Sequence, residues 1–415
     1  MFWSLYKHKK NYIKIYFLIF IIFFCYPSLF GQTSSNSNNH KETGNGILLI
    51  DSKETDSKMW FNARALFDAA FYQENLNRLS NGTELRYGRI GIKLSQNHGW
   101  TGTINLSLEG NDVKVEDTWV KYVTGKTSIT VGNQKEPIGF EFLTSSIHTI
   151  FMERALPYLF SPGRSIGIAV SHSNSCYSLS AGLFGQDLKD HDNNDDEGFG
   201  VTGRLTIVPI NKGDVVSTHL GIGATYRTPD ANSENLSRIQ FSSQPESKVL
   251  GTRFLNTGYI NDVDNFYLMD YEFATMYGPL YVYGEFVNTT VNRSNDLDNI
   301  TFQGAYLAWS WLLTGEHRQY QKNSGIFGHV TPLRSTGAFE LGIRFSWADL
   351  NDINAKIYGG ESKNITFGFN WYANTNVRLE VNYVLTYNDD YANGNGLLTG
   401  NDDFKFIQAR LQMSI

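Results

Sequence analysis

One short motif in the chain has the residue types and spacing of a hydrolase nucleophile. Residues 163–167 read Gly-Arg-Ser-Ile-Gly, which matches the nucleophile elbow G-x-S-x-G and would make Ser165 the attacking group in acyl transfer. That elbow requires a sharp turn between a strand and a helix. Here Ile166, Ile168 and Val170 alternate with small residues, which indicates a continuous strand. The motif therefore does not predict a catalytic serine.

Two other patterns suggest metal ligands. The acidic run from Asp187 to Glu197 offers carboxylates for calcium, but it lacks the ligand spacing and the closing bidentate glutamate of an EF-hand loop. We expect a solvated surface loop there, with weak cation binding between loops as the alternative. No cysteine–histidine cluster has zinc-ligand spacing, and His219 has no candidate ligands near it in sequence. The sequence therefore predicts a wall position for His219, and no cofactor, metal-ligating or catalytic residue.

The N-terminus has the layout of a secretory signal peptide at residues 1–31. Four lysines precede an apolar run at residues 15–26, and the segment ends on the small residue Gly31. A run this short cannot be a lasting membrane anchor, which needs about 20 residues. Cleavage after Gly31 leaves 31 basic and 41 acidic side chains, with Cys176 as the one remaining cysteine. The acidic excess argues against nucleic acid as a partner, since nucleic-acid binding requires basic surfaces.

Residues 32–57 form a leader that we expect to be flexible, with one short strand at residues 47–50. After this leader, apolar residues recur at every second position. At the end of the chain, apolar residues at 407, 409, 411, 413 and 415 alternate with polar ones. A period of two places the two sets on opposite faces of one strand. The same alternation recurs at residues 60–71, 89–94, 103–109, 219–227, 339–346 and 378–385.

An exported chain of amphipathic strands predicts an all-β fold, a transmembrane antiparallel β-barrel spanning residues 58–415. The 384 residues that remain after cleavage give about 16 strands, at roughly 24 residues per strand and connection. Short connectors such as residues 277–279 alternate with long polar loops, as at the two unequal ends of an outer-membrane barrel. A secreted soluble β-sandwich is the alternative, but it has fewer strands and no aromatic girdle. We therefore favour the barrel.

Four segments in the same order resemble the phosphate-selective porin O and P family, and together they cover the chain from about residue 58 to its end. They are residues 131–146 (VGNQKEPIGFEFLTSS) with 151–164, residues 313–320 (LTGEHRQY), residues 337–352 (GAFELGIRFSWADLND) and residues 366–373 (TFGFNWYA). The resemblance implies a trimeric 16-stranded barrel in the outer membrane of a Gram-negative bacterium. It also implies a long constriction loop folded into the lumen.

On this chain the resemblance assigns the constriction loop to the non-alternating residues 133–164. Phosphate-selective members of the family have three lysines deep in the pore. The corresponding positions here are Phe142, Gln321 and Thr331, so all three lysines are absent. The resemblance therefore does not carry phosphate specificity to this chain.

Charged residues of this loop, and of lumen-facing positions on nearby strands, are the candidates for pore constriction and lining. Such charges replace part of an ion's hydration and raise its local concentration. The candidates are Lys135, Glu136, Glu141, Glu153, Arg154, Arg164, Arg89, Lys93, Asp117, Lys121 and Arg344. Their mixed signs predict a weakly selective pore. In the alternative interpretation, Glu141, Glu153, Arg154 and Arg164 form pairs that only fix the loop to the wall.

Two arginines match arginines of the family. One is Arg154, and the other is Arg86, near the start of its strand. The alternation places Arg86 with the outward set, which we interpret as a position beyond the apolar band.

The leading hypothesis is an outer-membrane porin, not an enzyme, that lets small hydrophilic solutes or ions diffuse, including anions such as phosphate. Its predicted partners are those solutes, outer-membrane lipid and further copies of the same chain. A barrel enzyme of the lipase or protease type is the second hypothesis, and it requires a nucleophile and a base within reach of each other. An adhesion barrel whose long loops bind partners is the third.

Overall fold

The computed structural model describes residues 46–110, 112–186, 188, 197–213, 215–230 and 237–415. The predicted signal peptide, residues 32–45 of the predicted leader and most of the acidic run between residues 187 and 197 lie outside the described residues. The short strand expected in the leader is present at Ile47–Ser52.

Seventeen strands form one antiparallel sheet. They are β1 (Ile47–Ser52), β2 (Ser57–Gln73), β3 (Gly82–Gln96), β4 (Trp100–Glu109), β5 (Asp112–Thr124), β6 (Thr127–Lys135), β7 (Arg164–Ser173), β8 (Tyr177–Phe184), β9 (Gly200–Asn211), β10 (Val216–Arg227), β11 (Val263–Tyr277), β12 (Leu280–Arg293), β13 (Ile300–Leu312), β14 (Ala338–Asp352), β15 (Ile357–Tyr372), β16 (Val377–Asn388) and β17 (Phe404–Ser414). From β2 to β17 each strand pairs with the next, and β17 pairs with β2 to close the ring. The predicted barrel of about 16 strands is confirmed.

The barrel closes along one edge of β2. Strand β17 pairs with this edge from Gln73 to Arg64, and backbone hydrogen bonds of 2.8 and 3.2 Å then join Ile415 to Ala63. Strand β1 pairs with the rest of the edge, from Phe61 to Ser57. The leader strand therefore covers the part of β2 that β17 does not reach, which protects the backbone groups of that edge.

The predicted alternation between the two faces holds along the wall. On β17, Ile407 and Leu411 are exposed on the outer surface, while Gln408 and Arg410 are buried inside the barrel. The largest fully buried side chains of the described residues include three arginines, Arg344, Arg378 and Arg410. An apolar exterior around a polar interior is the arrangement of a barrel that lies in lipid.

Helices are few and short in the described ranges. A single turn, α1, lies at Phe140–Leu143, and 3-10 turns lie at Asn97–Gly99 and Leu156–Phe160. Within those ranges, no helix has the length and apolar character that crossing a membrane requires.

Most connections follow the predicted pattern of short turns and longer loops. The predicted turn between β11 and β12 is made by Gly278 and Pro279, and Gly278 has a φ of 54°, which favours glycine. Residues 313–337 are an exception, because they join β13 to β14 at the end where turns are short. Arg318 in this stretch donates hydrogen bonds to Glu340, which is fully buried on the inner face of β14. The stretch therefore folds back into the barrel.

Three stretches of chain fill one side of the lumen. We call residues 136–163 the constriction segment, residues 237–262 the loop segment and residues 313–337 the turn segment. Phe160 of the constriction segment packs on Phe241 of the loop segment, and Phe140 packs on Phe327 of the turn segment. Both clusters also include wall residues of β11, β12 and β13, and the first includes residues of β14 as well. This packing on one side of the lumen holds the constriction segment in place, so that it faces the opposite wall.

Candidate functional site

A cavity of about 530 Å³ lies between the constriction segment and the wall built by β2–β7 and β17. Charged side chains dominate its lining. The cations are Arg64, Arg86, Arg89, Lys121, Lys135, Arg154, Arg164 and Arg410, and the acids are Glu109, Glu116, Asp117 and Glu153. Eight cations thus face four acids, in a chain whose formal net charge is −6. The cavity therefore has a positive excess that the whole chain does not have.

The constriction segment is fixed to the wall at its first residue, Glu136. This carboxylate is fully buried and accepts hydrogen bonds from Ser165 Oγ (2.7 Å) and Thr202 Oγ1 (2.5 Å). It also forms an ion pair with Arg227. These partners lie on β7, β9 and β10, so one side chain connects the segment to three strands.

A second attachment involves Glu285 on β12. Its carboxylate accepts the backbone N–H groups of Phe140 and Glu141 and the hydroxyl of Tyr306. The Glu141 side chain points away from this contact and accepts the N–H of Ala155 at 2.8 Å. Burial raises the pKa of Glu141, and the Arg344 guanidinium opposes this shift. The carboxyl of Glu141 therefore joins the two halves of the constriction segment.

Glu153 is the acid in the centre of the cavity lining. It accepts hydrogen bonds from Arg86 Nε at 2.8 Å and Arg410 Nη2 at 2.7 Å, and Arg410 also forms a bidentate pair with Asp68 on β2. Burial alone would raise the pKa of Glu153, but Arg86 and Arg410 hold it well below its usual range. Glu153 is therefore an ionised group that links the constriction segment to β3 and β17.

The position of Arg86 departs from the alternation. Leu66 pairs with Tyr87 while its neighbour Phe67 pairs with Leu85, so Arg86 is the extra residue of a β-bulge. A bulge changes the direction of the side chain relative to the regular pleat. The outward position inferred for Arg86 is therefore wrong, and its guanidinium lies inside the barrel.

Lys135 and Arg154 both hydrogen-bond to backbone carbonyls around α1. The Lys135 ammonium donates to the carbonyl of Phe142, and the Arg154 guanidinium donates to those of Glu141 (3.0 Å) and Thr144 (2.9 Å). Arg154 also stacks 4.8 Å from the centre of the Tyr158 ring. Neither cation forms a salt bridge in the described part of the chain. Because carbonyls are neutral, neither positive charge is cancelled by an acid in direct contact, although Asp117 acts on Lys135 and Glu141 acts on Arg154 from a greater distance.

The wall opposite the constriction segment carries paired and unpaired cations. Arg164 forms a bidentate contact with Asp117 at 3.0 and 2.9 Å, and Glu116 bridges Arg164 and Arg89. Two more wall cations contact no acid that the structure describes: Arg64 donates to Ser145 Oγ at 3.2 Å, and Lys121 lies 5.1 Å from the Trp119 ring. The excess of positive charge therefore comes from Arg64 and Lys121 together with the two carbonyl-bound cations.

The structure brings seven of the eleven candidate pore residues to this cavity. They are Lys135, Glu153, Arg154, Arg164, Arg89, Asp117 and Lys121. Glu136, Glu141 and Arg344 are buried in contacts that hold the constriction segment, and Lys93 lies beside Trp60. Five charged lining residues were missed by the sequence reasoning. Arg64, Glu109 and Arg410 occupy alternating inward positions that the pattern reveals, whereas the bulge conceals Arg86, and Glu116 lies beside a register shift in β5.

Two other residues singled out in the sequence are also part of the wall. His219 is fully buried on β10, with Nδ1 at 2.8 Å from the Tyr320 hydroxyl and Nε2 at 2.9 Å from Glu272. Ser165 lies on strand β7 and not at a turn into a helix. Of the three positions where the resemblance expects lysine, Phe142 lines the cavity, and Gln321 and Thr331 lie exposed on the turn segment.

Proteins with similar sequences include a porin and a protein whose function is not characterised. The chain is 27% identical over 378 residues to Porin O of Pseudomonas aeruginosa, which covers 82% of this chain and 84% of that protein. It is 28% identical over 357 residues to an uncharacterised protein of Caulobacter vibrioides, which covers 81% of this chain and 69% of that protein.

Solved structures with the same fold include an anion-selective porin from Comamonas acidovorans, with a TM-score of 0.57 and 12% identity over 86% of this chain and all of that chain. OmpT of Vibrio cholerae has a TM-score of 0.56 and 11% identity over 89% of this chain and all of that one. The family model of the phosphate-selective porin O and P matches residues 59–415, which is nearly the whole barrel. The closed barrel with its charged cavity thus belongs to the phosphate-selective porin O and P family, and the chain is an outer-membrane porin.

Proposed function

We propose that this porin passes small anions more readily than cations, with a modest preference and without a phosphate-specific site. The observation that supports this is the excess of eight cations over four acids around the cavity. A pore with low-dielectric walls concentrates ions of the opposite sign, so the lining governs selectivity even though the whole chain is acidic.

Four cations of the lining form no ion pair with an acid among the residues that the structure describes, and they account for most of this excess. They are Arg64, Lys121, Lys135 and Arg154. The other four cations are paired with Glu116, Asp117 or Glu153, so much of their field is cancelled at a distance. We infer that an anion in the cavity interacts mainly with the four unpaired cations.

The preference is expected to be modest because the donors of two of these cations are already in use. Lys135 and Arg154 direct their N–H groups at carbonyl oxygens of the constriction segment. They therefore contribute a positive field but no ready set of hydrogen-bond donors for a phosphate. The missing lysines at Phe142, Gln321 and Thr331 agree with this interpretation.

We infer passage and not catalysis from the surroundings of Ser165. Its hydroxyl donates to the Glu136 carboxylate at 2.7 Å, and the two residues are 1% and 0% exposed. A nucleophile has to reach its substrate, and a lipid or peptide has no access to this pair. Hydrolysis of a lipid or peptide substrate by the purified protein would contradict this part of the proposal.

The assembly and export of the chain are also proposals. We propose a homotrimer embedded in outer-membrane lipid, because in-vitro folded OmpT of Vibrio cholerae, solved in a trimer form, has the same fold at a TM-score of 0.55. Cross-linking in the native membrane tests this, since bands no larger than the monomer would contradict it. We also propose that residues 1–31 are a cleaved signal peptide, which N-terminal sequencing of the exported protein tests.

The main test is the reversal potential of the purified porin in a planar bilayer across a potassium chloride gradient. We expect stepwise conductance and a reversal potential of the sign given by chloride selectivity. Conductance should rise in proportion to phosphate concentration, because a pore without a phosphate-specific site does not saturate. A cation-selective reversal potential contradicts the anion preference, and a plateau at low phosphate contradicts the absence of a specific site.

A further inference from the structure

Three carboxylates lie together behind the constriction segment, on the packed side of the barrel. They are Asp270 and Glu272 on β11 and Glu285 on β12, and each places one oxygen within 4.8 Å of the other two. Glu272 and Glu285 are direct cross-strand partners, and Asp270 is two residues away on the same inward face. All three are buried. The group is thus fixed by strand register and does not depend on loop conformation.

Asp270 distinguishes this group from an ordinary buried ion-pair network. It is 1% exposed, and neither of its carboxylate oxygens accepts a hydrogen bond from a donor group of the described residues, while the Glu272 carboxylate of the same group lies close enough to share a proton with it. Leaving a buried carboxylate unpaired is costly, so such a group requires a counter-ion, a water or a proton. Asp270 and Glu285 also line a cavity of about 20 Å³ together with Gly139 and Tyr306, and Glu272 lies next to this cavity without lining it. That volume is enough for one water or one small ion.

The charges around the group leave a deficit of positive charge. Glu272 forms a bidentate pair with Arg204 at 2.7 and 2.6 Å and also accepts from His219. Glu285 accepts three hydrogen bonds, all from uncharged donors. One arginine therefore faces three carboxylates, and a divalent cation would make up the difference.

We propose that Asp270, Glu272 and Glu285 bind one Ca²⁺ ion. The ligands are all oxygens, which a hard cation prefers. Ca²⁺ accepts irregular oxygen geometry at about 2.3–2.6 Å, whereas Mg²⁺ requires near-ideal octahedral geometry at about 2.0–2.1 Å. Three carboxylate oxygens that all lie within 4.8 Å of one another on two strands are therefore a more suitable ligand set for calcium. Each carboxylate oxygen has two lone pairs, so the existing hydrogen bonds of Glu272 and Glu285 can remain.

The position of the site gives the ion a structural role. Glu285 is the residue that holds the backbone of Phe140 and Glu141 at the start of α1. Glycine at position 221 on the adjoining strand leaves the space, because a Cβ there would lie 2.5 Å from Glu272 Oε2. A bound ion would fix the orientation of Glu285 and so stiffen the attachment of the constriction segment. This inference does not rest on the anion preference of the pore.

The test is calcium titration of the purified porin, stripped with a chelator and free of lipopolysaccharide, which itself binds divalent cations. Isothermal titration calorimetry should show one strong Ca²⁺ site per chain. Terbium replaces calcium and luminesces when a nearby tyrosine is excited, so Tyr306 provides a second readout that Ca²⁺ should quench by displacement. Asp270→Asn should weaken binding on the order of 100-fold, through loss of one ligand.

Asp264→Asn is the matched control, because it removes the same charge from an exposed position of the same strand and should leave binding unchanged. Absence of stoichiometric binding to the unmodified porin overturns the proposal. So does a calcium site that Asp270→Asn leaves unchanged, since the ion would then lie elsewhere, for example between surface loops. If Asp270→Asn does not fold, terbium displacement in the unmodified protein still decides, because a silent tyrosine signal excludes an ion beside Tyr306.

Discussion

The ammonium group of Lys135 lies 5.0 Å from the centre of the Phe142 ring and donates a hydrogen bond to the Phe142 carbonyl. Phe142 stands at the position where the resemblance to phosphate-selective porins expects a lysine. Lys135, the last residue of β6, thus places its ammonium group where the lysine expected at position 142 of the constriction segment is missing. The lining therefore keeps a positive charge at this point but loses the free donors that a lysine at position 142 would offer.

Phe142→Lys should convert the modest anion preference into a saturable interaction with phosphate. The new ammonium would join Lys135 and Arg154 in the same cavity, with three donors that no carbonyl occupies. We expect chloride conductance to become sensitive to block by phosphate. Phe142→Leu is the control, because it removes the same ring without adding a charge and should not create the block. Equal phosphate responses in the two variants would contradict the prediction.

Lys135→Gln should reduce the anion preference of the pore. The substitution removes one of the four cations without an acidic partner and retains a hydrogen-bond donor for the carbonyl of Phe142. The reversal potential across a potassium chloride gradient should shift toward zero. Lys405→Gln makes the same charge change at an exposed position that is not part of the cavity lining, and it should leave the reversal potential unchanged. An unshifted potential in Lys135→Gln would place the selectivity elsewhere.

The barrel was predictable from the sequence because strand alternation is a local signal. The period of two determines which residues face lipid, and the number of residues limits the number of strands. Two features escaped this reasoning. The turn segment at residues 313–337 was not expected to fold inward, because its packing depends on contacts such as Arg318 with Glu340, far apart in sequence. The bulge at Arg86 reverses one side chain and leaves no pattern in the sequence.

The candidate site was only partly predictable, for a related reason. Its charge and its place in the expected constriction loop suggested Lys135, and alternation suggested Lys121; both line the cavity. These sequence signals could not distinguish charged residues that line the cavity from charged residues that hold the constriction segment in place. The two groups differ only in which residues they contact in the folded protein. Glu136, for example, has the same sequence context as its neighbour Lys135, yet its carboxylate is closed off by Ser165, Thr202 and Arg227.

Glu153→Gln should both loosen the constriction segment and increase the anion preference. The change removes the acid shared by Arg86 and Arg410, and of these two only Arg410 keeps another acid, Asp68. Breaking a buried pair typically costs about 3–5 kcal/mol, which a lower urea midpoint of unfolding would report. One acid fewer in the lining should move the reversal potential further toward the value for chloride.

Glu109→Gln is the control for Glu153→Gln, since Glu109 also lines the cavity but pairs with Lys114, which is exposed. It should change selectivity in the same direction and leave the urea midpoint nearly unchanged, because exposed pairs contribute little to stability. Equal midpoints in the two variants would mean that Glu153 does not hold the constriction segment.

Acid should destabilise the porin through His148 of the constriction segment. Burial, together with the positive field of His329, Arg64 and Arg318, lowers the pKa of His148 to about 3. In the unfolded chain this histidine takes up a proton near pH 6.5, while in the folded protein it stays neutral down to about pH 3. Between these values the unfolded state binds more protons, so stability falls as pH falls, by at most about 1.4 kcal/mol per pH unit.

The urea midpoint of unfolding should therefore decrease from pH 7 to pH 5, and His148→Asn should make this dependence less steep. His98→Asn is the matched control, because His98 is exposed in a turn with a φ of 67°, a conformation that asparagine also tolerates. It should leave the pH dependence as it is in the unmodified protein. If His148→Asn and His98→Asn show the same slope, the acid sensitivity arises from other groups, and the pKa of His148 is not lowered in the folded porin.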